Sequence, residues 1–194
     1  MARAEMDAAS VVCLIQESIA VKQRLLQSAV GDIVRAAEWA VASLRAGGKL
    51  ILFGNGGSAA DAQHIAAELV GRFERERRPL PAMALTVNTS TLTAIANDYD
   101  YRHLFARQMS AWAHPEDVAI GLSTSGNSAN VIEAIHIAKA RGTKTIGLTG
   151  EGGGSVAASA DLTIKVPSSN TARIQESHIL IGHILCRFID DAMV

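Results

Sequence analysis

Two histidines and a glutamate stand where they can do chemistry. His64 and Glu68 are four positions apart in a stretch with helical apolar spacing, so they share one helix face. Such a pair can hold zinc, or it can be an ordinary exposed pair. A second cluster, Gln175, Glu176, His178 and His183, lies near the end of the chain. Gln175 and His183 are eight positions apart, which puts them on one broad face but about 12 Å apart along a straight helix. One ion is hardly reached by both, so either the helix start is distorted or different subunits supply different ligands. The second is the expectation here. His178 falls off the Gln175 face, and His103, His114 and His136 read as surface or capping residues without partners.

Two loops add binding chemistry. Ser123-Thr124-Ser125-Gly126-Asn127-Ser128 carries four hydroxyls in six residues between an apolar run and a helical pattern. One serine there is a cap. Four, at a helix N-terminus whose free amides attract anions, favour a phosphate site. Gly54-Asn55-Gly56-Gly57-Ser58-Ala59 matches the loose dinucleotide pattern G-x-G-x-x-A. The acid that such a site needs at the end of the next strand is missing from Thr86-Val87-Asn88. The loop therefore reads as a sugar-binding wall, with Asn55 and Ser58 as donors. Neither loop is a Walker A, since no Gly-Lys-Ser/Thr follows. Asn97 and Asp98 end a helical stretch, where they cap it or bind sugar hydroxyls.

The elements that must position these groups follow from periodicity. Residues 8–46 read as two helices ended by Gly47-Gly48. Short apolar runs at 49–53, 82–85, 117–122, 143–148 and 162–166 read as buried strands. Between and after them come helices at 58–73, 90–97, 103–112, 128–140, near Val156 and at 171–191. Buried strands alternating with helices imply an α/β fold, a five-stranded parallel sheet covered on both faces. Ligands then bind beyond the carboxyl ends of the strands. No linker or repeat interrupts residues 1–194, so one domain is expected: N-terminal helices over 1–46 and an α/β core over 47–194.

Composition narrows the function. A net charge of -1 argues against nucleic acid as the main ligand, and the basic residues Arg72 to Arg78 are diluted by Glu74 and Glu76. The run reads as a solvated helix end and loop, from which Arg72 still reaches an anionic substrate. Cys13 and Cys186 lie in apolar helical patterns and read as buried, reduced thiols. Met1 to Ser10 carries no apolar leader core, and no run of about 18 apolar residues exists, so a cytoplasmic protein is expected.

Taken together, Gly54-Asn55-Gly56-Gly57-Ser58, His64 with Glu68, Ser123 to Ser128, and Arg173-Ile174-Gln175-Glu176 with His183 resemble the phosphoheptose isomerases, within the wider sugar isomerase (SIS) domain class. The resemblance covers almost the whole chain. It implies interconversion of sedoheptulose 7-phosphate and D-glycero-D-manno-heptose 7-phosphate, an early step toward the ADP- or GDP-activated heptose of lipopolysaccharide or capsule. It implies a homotetramer with active sites at subunit interfaces, the N-terminal helices serving oligomer packing. It places one zinc on His64, Glu68, Gln175 and His183. Substrate contacts map to Asn55, Gly56, Gly57, Ser58, Glu68, Asn97, Asp98, Ser123, Thr124, Ser125, Ser128 and Gln175. Some members carry an Asp just before Arg-Ile-Gln-Glu; here that position is Ala172, so any role of that carboxylate falls to Asp98 or another group.

An aldose–ketose exchange through an enediol needs a base beside the carbons and an acid beside the oxygens. Glu68 is expected as the base and His183 as the acid. Two other readings compete: a non-catalytic SIS protein that binds a replication initiator, and a sugar-phosphate-sensing regulatory domain. The His64, Glu68, Gln175 and His183 set favours the enzyme.

Overall fold

In the computed structural model, residues 7–194 are described; residues 1–6, most of the segment read as lacking a leader core, lie outside them. The chain begins with α1 (Ala8–Ser28) and α2 (Val30–Arg45). Asp7 caps α1 by accepting from the Ser10 amide at 2.8 Å. Alternation follows: β1 (Leu50–Gly54), α3 (Gly57–Val70), β2 (Ala82–Ala84), α4 (Thr89–Asp98), a 3₁₀ turn (Tyr101–His103) and α5 (Leu104–Trp112). Then come β3 (Val118–Ser123), α6 (Ala129–Ala140), β4 (Lys144–Thr149), α7 (Gly154–Ser159), β5 (Leu162–Lys165) and α8 (Thr171–Met193). The five expected strands are all present and all pair in parallel, in the order β2-β1-β3-β4-β5.

The period of two along the strands decides which helix lies where. Leu50 and Leu52 of β1, with Val118, Ile120 and Leu122 of β3, join the core shared with α1, α2, α3 and α8. Ile51 and Phe53, with Ala119, join the opposite core, under α4, α5, α6 and α7. Every residue of β1 and β3 is buried, as a sheet covered on both faces requires.

The strand order reverses between β1 and β3. The loop after β1 leads into α3 on one face, and the loop after β3 leads into α6 on the other. Divergent loops leave a crevice at the carboxyl ends of these two strands, where ligands of open α/β sheets bind. Both loops singled out in the sequence flank that point.

Two readings are corrected. Cys13 is exposed, because α1 turns its apolar residues outward in the single chain: Val11, Leu14 and Ile15 are each more than half exposed. Cys186 is buried, and its thiol is pushed up to about 12 by that burial and by nearby Glu68 and Asp190. The α3 helix ends at Val70, three residues early, where Gly71 breaks the run and the chain turns back toward α8.

Candidate active site

The first group forms between α3 and α8. Both helices follow a strand in the same direction, so they run side by side in parallel register. Gly182 is the close-contact point: a Cβ there would sit 2.5 Å from Ile65 Cδ1. That approach brings the neighbouring side chains together. His64 Nε2 lies 2.9 Å from His183 Nε2, and 3.2 Å from Glu68 Oε1. The donor atoms of His64, Glu68 and His183 all lie within 4.8 Å of one another. Phe73 stacks on the His183 ring at 5.4 Å and holds its plane.

Gln175 occupies a different place. Its side-chain amide lies over Gly57, where a Cβ would meet Nε2 at 2.5 Å. Gly57 and His64 are seven positions apart on α3, about 10 Å. Within one chain, Gln175 is therefore about two turns from the three converging donors. The helix start is regular from Thr171 onward, with Asn170 capping it through the Ala172 amide, so distortion does not bridge the gap. Ala172 itself is exposed.

Asp61 was not singled out from the sequence. It sits one turn before His64, and its Oδ2 is buried without a hydrogen-bond partner among the described residues. Burial raises its carboxyl above the usual range, partly offset by His64. The i, i+3 spacing to His64 was the available signal. His178 is also more than a bystander: it is fully buried, with Nε2 3.3 Å from the Thr149 carbonyl. A carbonyl only accepts, so Nε2 carries the proton. Burial pushes this imidazole down to about 4 against the pull of that hydrogen bond, which makes it a neutral core histidine.

The second group lies at the crevice. In the β1 loop, Gly56 has φ +57°, which admits the turn into α3. Asn55 and Asn130 exchange amide hydrogen bonds at 2.9 Å in both directions, and the Tyr101 hydroxyl donates to Asn55 Oδ1 at 3.0 Å. The β1 loop is thus tied to the first turn of α6 across the switch point. Neither Asn130 nor Tyr101 was visible in the sequence, because the pairing joins residues 75 apart. Ser58 is buried beneath Gly54 at the start of α3, away from the surface that Asn55 lines. Gly57 is exposed.

In the β3 loop, the Ser128 hydroxyl makes no cap hydrogen bond to α6; it pairs with Ser123 Oγ at 2.9 Å instead. The amides that open α6 are thus not taken up by the N-cap side chain, as an anion site needs. Ser125 is exposed, Thr124 half-buried. Gly126 has φ +69°, and a Cβ there would be 2.1 Å from the Gly153 carbonyl oxygen, so only glycine closes this turn. Asn127 braces the same turn, accepting from the Ser155 amide at 3.0 Å. Asn97 and Asp98 lie at the exposed end of α4, bonded to each other at 2.8 Å.

The remaining expectations are minor. Arg72 is exposed and faces Glu76 at 3.8 Å, a solvated helix end. His136 does have a partner, Ser159 Oγ at 3.1 Å. No helix among the described residues is long and apolar enough to cross a membrane.

The doubly wound sheet carries a hydroxyl-rich loop at its switch point, and the sequence model of the SIS domain matches residues 15–150. The chain belongs to the SIS domain family. Within it, the chain is similar over most of its length to the phosphoheptose isomerase of Rhodospirillum rubrum, 60% identical over 161 residues, covering 83% of this chain and 86% of that one. Among solved structures it is similar to phosphoheptose isomerase GmhA from Neisseria gonorrhoeae, with a TM-score of 0.89 and 47% identity, covering 94% of this chain and 98% of that one. A phosphoheptose isomerase from Francisella tularensis superposes with a TM-score of 0.91 at 38% identity, covering 94% and 97%. This chain is a member of the phosphoheptose isomerase family.

Proposed function

We propose that this chain interconverts sedoheptulose 7-phosphate and D-glycero-D-manno-heptose 7-phosphate through an enediol. The convergence of His64, Glu68 and His183 carries the reading. A non-catalytic, initiator-binding protein has no use for such a cluster, and the relatives' shared name supports the enzyme. The product would feed activated heptose for lipopolysaccharide or capsule, and the compartment would be the cytoplasm.

The donor set suits zinc: two imidazole nitrogens and a carboxylate oxygen are borderline-soft ligands close enough to share one ion. His64, Glu68 and His183 would hold it, with Gln175 as the fourth ligand. When bound, zinc would supply Lewis acidity to the substrate's carbonyl and neighbouring hydroxyl oxygens.

The chain's own residues do the rest. The opening amides of α6 and the hydroxyls of Ser123, Thr124, Ser125 and Ser128 take the phosphate. Anchoring that far end turns its binding energy into alignment of the reacting carbons. Asn55, Gly56, Gly57, Asn97, Asp98 and Gln175 face the sugar hydroxyls; Ser58 acts from beneath, by shaping the β1 turn. Glu68 carries the proton from one carbon to the next, using one carboxylate oxygen while the other stays toward His64. His183 serves the oxygens. A histidine whose Nε2 is a ligand has no proton to give there, so its two roles exclude each other at any one moment.

Active sites would lie between copies in a homotetramer. Two observations support this: Gln175 is about two turns from the three donors of its own chain, and α1 leaves Val11, Leu14, Ile15 and Ile19 exposed. Reassembled mixtures of a His64 variant and a Gln175 variant should recover activity; no recovery counts against shared sites.

The deciding experiment incubates the protein with sedoheptulose 7-phosphate, with and without a chelator, and follows heptose phosphate by NMR. Chelator-sensitive conversion is expected. Conversion indifferent to the chelator keeps the isomerase but removes zinc, leaving His183 free as the acid. No conversion by metal-loaded protein overturns the reading.

A further inference from the structure

An ion pair lies buried just beyond the His64–Glu68–His183 cluster. Arg77 Nε donates to Asp190 Oδ1 at 2.7 Å, with side chains 1% and 0% exposed. Arg77 follows the break at Gly71, and Asp190 stands seven positions after His183 on α8. The guanidinium also donates to the carbonyl of Glu68 at 2.9 Å through one terminal nitrogen and to that of Leu69 at 2.9 Å through the other. It therefore satisfies backbone acceptors in the last turn of α3, where a helix leaves carbonyls unpaired and favours a cation. Asp190 in turn accepts from the amides of Glu74 and Arg75 at 2.9 and 3.0 Å.

Stability alone explains this arrangement poorly. Desolvating two charges costs about as much as their attraction returns, and a well-packed apolar pair is often as stable or more so. What an apolar pair cannot do is fix direction. Five guanidinium donors in a rigid fork set where the Glu68 backbone stands relative to α8. Near the cluster α3 and α8 also meet closely at Ile65 and Gly182, a contact that resists approach but not sliding.

We infer that Arg77 and Asp190 are positioning residues: a buried clamp that sets the axial register of α3 against α8, and so the mutual placement of Glu68, His64 and His183. The inference rests on the reading of that cluster as the reactive centre. Outer partners of this kind typically change metal affinity or activity by about 10- to 100-fold when removed.

The test is the Arg77→Met/Asp190→Leu double variant, which replaces the pair by apolar side chains, measured beside the unaltered protein. Thermal unfolding near that of the unaltered protein is expected, with kcat down about 10- to 100-fold and KM for sedoheptulose 7-phosphate within about twofold. Cobalt(II), titrated as a probe of the cluster, should bind more weakly by a similar factor. Without metal or substrate, the ring-proton NMR signals of His183, shifted by Phe73 and His64, should move toward free-histidine positions. A folded double variant with unaltered kcat, cobalt affinity and His183 signals overturns the clamp. Should the double variant not fold, Asp190→Glu decides: it keeps the charge but displaces it by one methylene. Lowered kcat and moved His183 signals in that folded variant carry the inference, and unaltered ones overturn it. Failure of the functional reading is recognised separately, since the unaltered protein would then neither turn over substrate nor bind cobalt, while the His183 signals still report on the clamp.

Discussion

Ile65 rests on the bare Cα of Gly182, and this contact places His64 and His183 ring to ring, their centroids 5.1 Å apart. The His64–Glu68–His183 cluster is thus built on a position with no side chain of its own. A methyl group there would come within 2.5 Å of Ile65 Cδ1. Gly182→Ala should push α3 off α8, costing about 1–3 kcal/mol of stability by overpacking. Turnover should fall with it. Adding Ile65→Val or Ile65→Ala makes room and should restore part of both losses. Thermal unfolding and kcat of the single and double variants check this; a double variant no better than Gly182→Ala removes the steric explanation.

Glu68→Gln keeps shape and burial but cannot take a proton. Turnover should drop by about 10²–10⁴, with the far-ultraviolet circular dichroism and melting temperature unchanged. Activity within tenfold of the unaltered protein would sink the assignment of Glu68 as base.

The β3 loop should report on phosphate, not on chemistry. Ser123→Ala removes one half of the Ser123–Ser128 hydroxyl pair, freeing Ser128 to cap α6 and compete with the anion. KM should rise more than kcat falls, and inorganic phosphate should become a weaker competitive inhibitor. Gly126→Ala, strained at φ +69° and blocked by the Gly153 carbonyl, should lose substrate binding altogether. Steady-state kinetics with phosphate as inhibitor measure both.

Acid should expose the Asp190–Arg77 pair. Burial alone would raise the Asp190 carboxyl, but the amides of Arg75 and Glu74 and the Arg77 guanidinium overrule it and hold it below its ordinary 3.8. A carboxyl lowered in the folded state binds its proton later than in the unfolded chain. Its stabilisation is therefore complete above about pH 5 and drains away as pH falls below 3.8 toward the folded value. Asp190→Asn should cost about 3 kcal/mol near neutrality by stranding Arg77. Urea midpoints from pH 6 to pH 3 should show the two proteins converging; a constant gap would contradict the linkage.

Much of the molecule is written in local pattern. The central strands β1, β3 and β4 were legible because each is a short, almost wholly buried apolar run that stops at a residue beginning a polar loop, and the edge strands β2 and β5, only partly buried, because each is a short apolar run between helical stretches. The hydroxyl-rich β3 loop was legible because four hydroxyls and Gly126 fall within six consecutive residues. His64 and Glu68 were legible as a pair because one helix carries both. Asp61 escaped attention although it lies one turn away, since a lone carboxylate in a helix looks like any solvated one until its burial is known.

What the sequence by itself determined, then, is the alternation of elements and the groups that a single helix or loop presents, because periodicity and neighbour spacing act over a few residues. Only the tertiary structure decided which groups meet. The parallel register of α3 on α8 brings His183 to His64 and Glu68 while leaving Gln175 over Gly57. The reversal of strand order between β1 and β3 brings Asn55 to Asn130. The fold of the chain after Gly71 returns Arg77 to Glu68 and Asp190. Each of these depends on packing between elements distant in sequence, where small side chains and the geometry of the sheet, not local propensity, set the contact.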